Sequence, residues 1–399
     1  MSKLTPQPNF VLEFTRLCKG TEIPELFAVW SSLGVVGATL GRNVWLDMEF
    51  FMVFPNLFIV LVASSGRFRK STSIEAAVDL LKESNVEPAI NFISQTLTPE
   101  ALIGSLLGGQ RQEGNGDLIC EGFVVADELS TFLNRKYYDL GIAPLLINFF
   151  DCKRRYVYET KKRGKEILNN ICLGMLAGST ISSIRNAIPS DAVGGGLTSR
   201  LIFVYANIPP KPVARIRLSE EQLTIRAELP KVLEEIRKLR GPVVLTPQSW
   251  ELYEEAYVKH CETSPFFIVP FLSGYASRWH VHMLKVAMIL SVSERPLKEP
   301  VEVLPRHITG AIQILEASEV YMPKILTLIT STERGALGEM MACNVEQMGE
   351  GGVGRADLMR SVAHKITVRE FEELVGTLVA AGRIERLAGP GGTRYRARK

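Results

Sequence analysis

Cysteine, histidine, charge imbalance and long apolar runs are all scarce in this chain, and each scarcity removes a class of function. Six cysteines are spread over 399 residues, at 18, 120, 152, 172, 261 and 343, and none forms a C-x-x-C pair. That pattern excludes the common zinc ribbons and disulfide scaffolds and fits a reducing, cytoplasmic setting. Of the five histidines, His280 and His282 are the closest pair. They lie in a helical pattern, SRWHVHMLKVAMIL, where residues two apart point to different faces, so no metal site is expected there. No uninterrupted apolar run reaches the ~18 residues a membrane helix needs. The longest, 50–62, is broken by Pro55 and Asn56. The first ten residues, MSKLTPQPNF, hold no apolar core of signal-peptide type. Net charge is only +3, so any contact with nucleic acid must come from local clusters.

What is present is enough apolar material for two or three domains: 46% of the residues are hydrophobic and 22% charged, as in a globular protein. Organisation centres on residues 57–72, LFIVLVASSGRFRKST. An apolar run is followed by small residues and then by Lys70-Ser71-Thr72 at the start of a helical pattern. Strand, small-residue loop and helix is the arrangement of a P-loop. Loop amides and the helix N-terminus hold phosphates, the lysine reaches the terminal phosphates, and the hydroxyl ligates Mg²⁺. The candidate nucleotide-binding residues are Ser64, Ser65, Gly66, Arg67, Phe68, Arg69, Lys70, Ser71 and Thr72. The pattern G-x-x-x-x-G-K-[ST] wants glycine where this chain has Ser64 and Arg69. The alternative is a buried strand leading into a basic helix start.

A second motif follows at 122–130, GFVVADELS. Apolar residues running into adjacent acids form a Walker B pattern. Asp127 is expected to hold Mg²⁺ together with Ser71, and Glu128 to polarise the attacking water. Further on, 154–160 alternates like a strand, 161–165 is a basic turn and 166–170 returns, which predicts a hairpin with a cationic tip. Lys161, Lys162, Arg163 and Lys165 are its candidate DNA contacts, against the alternative of a solvated turn. The buried strand 171–180 ends in hydroxyls. Thr180 is the first candidate for sensing the γ-phosphate and Ser179 the second. After the glycines at 194–196, Arg200 is a candidate arginine finger acting on a neighbour's phosphates, or else pairs with a carboxylate to seat the next strand. Arg278 and Lys285, on a later helix, either reach the nucleotide or form structural ion pairs.

These readings divide the chain into an N-terminal helical collar (1–48), an ATPase core with the basic hairpin (49–212), an all-helical lid (213–332) and a C-terminal winged helix (333–399). The fold class is α/β: a P-loop NTPase core, AAA+ or RecA-like, on a parallel sheet, with N-terminal helices, a helical lid and the winged helix. The third helix of that last unit carries Glu370, Glu372 and Glu373 against Arg369. It is a poor major-groove reader, and protein docking is as good an expectation as DNA binding.

With these residues located, the chain resembles the helicase-like ATPases of bacteriophages and mobile elements, a primase/helicase-associated family of unstated function. The resemblance covers roughly residues 10–330. It is carried by Phe51-x-x-x-Pro55-Asn56-Leu57, ASSGRFRKST, VVADELSTFLN, YETKKRGKE, LAGST and VGGGLTSRLIFVY. The hairpin placement is also similar to that of minichromosome-maintenance and superfamily-3 viral helicases. The resemblance implies a hexameric ring in a bacterial host's cytoplasm, with ATP and Mg²⁺ as cofactors. Its partners would be single-stranded or forked DNA and a primase or polymerase on another chain, with no membrane.

Overall fold

The computed structural model describes all residues except 1–8, 95–97, 114, 115, 135, 137, 139, 162, 163, 190, 191, 194, 270, 298, 331, 332, 349, 350, 390, 391 and 399. The chain forms two compact units, 1–323 and 324–399.

Unit one is α/β, built on a mostly parallel sheet. Its strands in chain order are β1 (Val44–Asp47), β2 (Met52–Val53), β3 (Phe58–Val62), β4 (Phe92–Ile93), β5 (Arg111–Gln112), β6 (Leu118–Ala126), β7 (Arg155–Thr160), β8 (Gly164–Asn169), β9 (Ile171–Ser179), β10 (Leu201–Tyr205), β11 (Gly241–Leu245) and β12 (Val301–Val303). The large sheet has the order β10-β3-β9-β6-β4, all parallel, with β5 antiparallel on β6. All five residues of β3 and all nine of β9 are buried. Parallel strands covered on both faces read as continuous apolar runs, which is why these two stood out in the sequence. Each such Val, Leu or Ile side chain contributes roughly 1.5–3 kcal/mol by leaving water.

The helices of this unit are α1 (Phe10–Cys18), α2 (Glu25–Leu40), α3 (Lys70–Glu83), α4 (Pro99–Gly108), α5 (Leu129–Phe132), α6 (Ile142–Phe150), α7 (Ile181–Ala187), α8 (Glu220–Lys238), α9 (Pro247–Thr263), α10 (Ser273–Ser293), α11 (Pro305–Glu319) and α12 (Met322–Thr330), the last spanning the division between units. α2 is buried over most of its surface, including Trp30, whose Nε1 donates to Ser318 Oγ at 2.7 Å. Arg237 crosses to the core as well: it is buried and bonds Thr39 O, Pro88 O and Glu121. Burial opposes ionisation of Glu121, but Arg237 and Arg111 outweigh it and hold the carboxyl below its usual range.

The expected all-helical lid is not all helical. β11 and β12 lie within it and pair in parallel with each other, and β11 pairs with β1 of the N-terminal region. The four-stranded sheet β12-β11-β1-β2 therefore joins the two ends of the unit. The predicted hairpin is present as β7 and β8. Its second strand begins at Gly164, so Lys165 lies in a strand rather than in the turn.

Unit two comprises α13 (Glu333–Gln347), β13 (Val353–Gly354), α14 (Arg355–Val362), α15 (Val368–Ala380), β14 (Ile384–Gly389) and β15 (Gly392–Ala397), with antiparallel strand order β13-β15-β14. Phe371, Leu374, Val375 and Leu378 on α15 close its core with Tyr395. Thr367 and Glu370 make a reciprocal capping box at the start of α15.

Candidate functional site

Ligands of open parallel sheets bind beyond the carboxyl ends of the strands, where the strand order reverses. Here the chain leaves β3 for the β4 side and later crosses back to β10, so the reversal lies at β3. The motifs sit at that end. β3 stops at Val62, and Ala63 N–H bonds Ser179 O at 3.3 Å, tying the loop to β9. Ser64, Ser65, Gly66 and Arg67 are exposed, whereas the Phe68 ring is buried and pegs the loop down. Gly66 has φ +91°, a conformation that suits glycine.

Arg69, where the motif wants glycine, has φ +47° and ψ +37°, the left-handed region. A residue with a side chain pays about 1–2 kcal/mol there. Glu22 offsets part of this. Arg69 Nε donates to Glu22 Oε2 at 2.7 Å, and the other carboxylate oxygen accepts Val213 N–H at 2.6 Å. The bond from Val213, then that from Arg69, holds the Glu22 carboxyl below its usual range. Nothing in the sequence marks Glu22, because its partners lie far away along the chain.

Lys70 opens α3. No side chain caps this helix and its first turn holds no acid, so its leading amides and positive dipole end face the loop, an arrangement suited to an anion. Lys70 Nζ folds back on the loop, donating to Ala63 O at 2.8 Å and Ser64 O at 3.2 Å. Burial lowers its pKa against the pull of Glu128. Ser71 and Thr72 are exposed, and Ser73 is buried against Ser31.

β6 delivers Asp127, exposed, and Glu128, half-buried. Ser179 Oγ donates to Glu128 Oε1 at 2.6 Å. The close approach of the two strand ends depends on Gly178, where a Cβ would lie 2.6 Å from Asp127 O. Lys70, Ser179 and Glu128 thus meet at the ends of three neighbouring strands, spaced ~4.8 Å apart. Ser71 and Asp127 are hard oxygen donors open to solvent. A hydroxyl and one carboxylate suit Mg²⁺, which takes its remaining ligands from phosphates and water.

Thr180, the first candidate for the sensing hydroxyl, caps α7, accepting Ser183 N–H at 3.1 Å, and Ser179, the second candidate, is the hydroxyl bonded to Glu128. Arg200 takes the alternative expected of it, a carboxylate pair at the start of β10. It is buried and pairs with both oxygens of Asp151, through Nε at 3.1 Å and Nη2 at 2.5 Å. The pairing of Leu201 with Phe58 places it at the amino end of β3, opposite the crevice. Lys285 and Arg278 belong to that opposite end too. Lys285 Nζ is buried on Asn56 O at 2.9 Å, where burial lowers its pKa to about 8, and Arg278 stands 3.8 Å from Asp151. Of the hairpin cations, Lys161 and Lys165 are exposed, while Lys162 and Arg163 lie outside the described residues. Because β8 leads directly into β9, the hairpin also stands at the amino end of the sheet.

No protein-family model matches the chain, and no curated protein matches it.

Proposed function

We propose that the chain is an ATP-driven DNA translocase, a hexameric replicative helicase of a phage or mobile element, with a P-loop core and a winged helix in unit two. The observation that carries the reading is the meeting of Lys70, Ser179 and Glu128 at the carboxyl ends of β3, β9 and β6. In this reading the exposed loop amides and α3 bind the phosphates of ATP. Lys70 exchanges its two carbonyl partners for a terminal phosphate. Ser179 orients the Glu128 carboxylate, which accepts a hydrogen bond from the attacking water. Ser71 and Asp127 would hold Mg²⁺, which would supply neutralising charge to the phosphates. Little covalent chemistry is asked of the protein, so positioning and electrostatics carry the rate. Lys161 and Lys165 contact the strand that is moved. No described helix is long and apolar enough to cross a membrane.

In the test, Lys70→Ala and Glu128→Gln each lower DNA-stimulated ATP hydrolysis by about 100-fold or more, while Glu128→Gln still binds ATP. Unchanged turnover in either variant sinks the assignment. A second reading is a nucleotide-dependent initiator or helicase loader. It is favoured by the left-handed Arg69 and by Arg200 being committed to Asp151, both of which argue for slow turnover. Hydrolysis without strand separation on a forked duplex selects this second reading.

The cations of unit two are largely used internally. Arg355 and Arg386 pair with Glu372, Arg334 and Arg369 with Glu373, and Arg396 with Glu385. This supports protein docking or weak backbone contact by the winged helix over base reading.

A further inference from the structure

The turn joining β1 to β2 holds up two phenylalanines that the fold does not use. Phe50 is 97% exposed and Phe51 47%. The turn is nevertheless ordered by its own bonds: Met48 N–H to Phe51 O at 3.0 Å, Phe50 N–H to Met48 O at 2.7 Å, and Glu49 N–H to Asp47 Oδ1 at 2.8 Å. Isolated exposed apolar residues are common, but here two adjacent exposed phenylalanines sit on a turn whose backbone is tied.

The position of this turn narrows what could cover it. Trp45 and Met52, on the two strands, pack against Phe54, Cys152 and Cys172. Arg42 Nη1 clamps the same place, donating to Cys152 O and Ile171 O, both at 2.8 Å. Cys152 is followed directly by Lys153, Arg154 and Arg155, all exposed. Their backbone is fixed on the start of β9 by Ile171 N–H to Lys153 O and Asn170 N–H to Arg154 O. Met52 lies two residues from Phe50, and Cys152 one to three from the cations. At a reach of ~3.5 Å per residue, with about 10 Å across the packed cluster, the backbone positions of the rings and the cations lie within roughly 30 Å of each other. Both are at the amino end of the sheet, with the β7–β8 hairpin.

We propose that Phe50 and Phe51 form a stacking platform for bases of single-stranded nucleic acid whose phosphates run along Lys153, Arg154 and Arg155. The proposal deepens the translocase reading and rests on its nucleic-acid part. A ring face beside a cationic track is the chemistry that holds single strands without reading their sequence. Asp47 and Glu49 flank the rings and repel phosphate, which sets the strand's orientation: bases toward the turn, backbone toward the arginines. A duplex keeps its base faces stacked inside and offers the rings nothing.

The test measures fluorescence anisotropy of the full chain with labelled oligothymidylate, an abasic oligomer of equal length and a duplex. Phe50→Ala/Phe51→Ala is expected to weaken oligothymidylate binding about 5- to 100-fold and to leave the weak binding of the abasic oligomer unchanged. Phe50→Trp is expected to keep wild-type affinity and to show indole quenching on binding. Wild-type oligothymidylate affinity in the double variant overturns the platform. So does an equal loss on the abasic oligomer, or a change confined to subunit assembly in sedimentation. A wild-type chain that hydrolyses ATP but binds none of the oligonucleotides overturns both the platform and the translocase reading. Binding that ignores the phenylalanines overturns the platform alone.

Discussion

At the scale of single residues, the crevice turns on which of two adjacent hydroxyls faces Glu128. Ser179 is the last residue of a buried strand and Thr180 the cap of the next helix, so alternate side chains serve different masters. On the proposed ATPase reading, Ser179→Ala cuts ATP turnover about 10-fold or more by freeing the Glu128 carboxylate. Thr180→Ala should instead cost about 1 kcal/mol of stability through the lost cap, with turnover retained. Parallel hydrolysis and urea titrations separate the two, and reversed effects would restore Thr180 to the site. Arg69 is the other residue-scale question. Alanine there loses the Glu22 pair but keeps the left-handed backbone, whereas glycine loses the pair and relieves the backbone. Arg69→Gly is therefore expected to be more stable than Arg69→Ala by about 1 kcal/mol, and equal urea midpoints would mean that the backbone is unstrained. The Lys-Ser pair was legible in the sequence because its partners are local. Glu22 was not, because it reaches the loop only in the folded chain.

Among the elements, those with a clean period were readable and the short ones were not. β7 could be seen from its alternation: Tyr156 and Tyr158 turn inward, the latter's hydroxyl bonding Glu100, while Arg155, Val157 and Glu159 face water. β11 and β12 are short, and β11 opens with Gly241-Pro242, which reads as a break. Only the pairing of β11 with β1, and of β12 with β11, makes them strands, and the first of these spans much of the unit. The packing of α10 on α11 carries a titration. Glu319, on α11, accepts a hydrogen bond from Tyr275 Oη of α10 at 2.8 Å, and burial, with the charge of Glu316, pushes its carboxyl up to about 7. The folded chain then holds a proton that the unfolded chain releases near 4.5. The resulting stability is complete below pH 4.5 and is lost as pH rises through about 7. His260 and His280 face the same helices with pKa values lowered by burial, which acts in the opposite direction. The contribution of Glu319 is therefore read as wild type minus Glu319→Gln: the difference in urea midpoint between pH 5 and pH 7.5 should shrink in the variant, and an unchanged difference would remove Glu319 from the account.

For the whole molecule, the α/β class followed from buried apolar runs alternating with helical periods, but strand order did not. Order depends on which nonlocal pairs form, and a parallel strand can be placed on either side of its predecessor by the same local sequence. Only the order β10-β3-β9-β6-β4 explains why Ser179, rather than a residue of β6, stands beside the Lys70 loop. It also gives β9 a mechanical character. Its first residue adjoins the cationic hairpin and its last holds Glu128; between them it is buried throughout, paired with β6 from Ile171 to Ala177 and with β3 from Met175 to Ser179. Such a strand, roughly 27 Å long, has little slack: every residue is tied to at least one neighbour, and Met175 to Ala177 to two. On the proposed translocase reading, it would serve as a push-rod between the two ends of the sheet, carrying a thrust on the hairpin to the carboxylate as displacement.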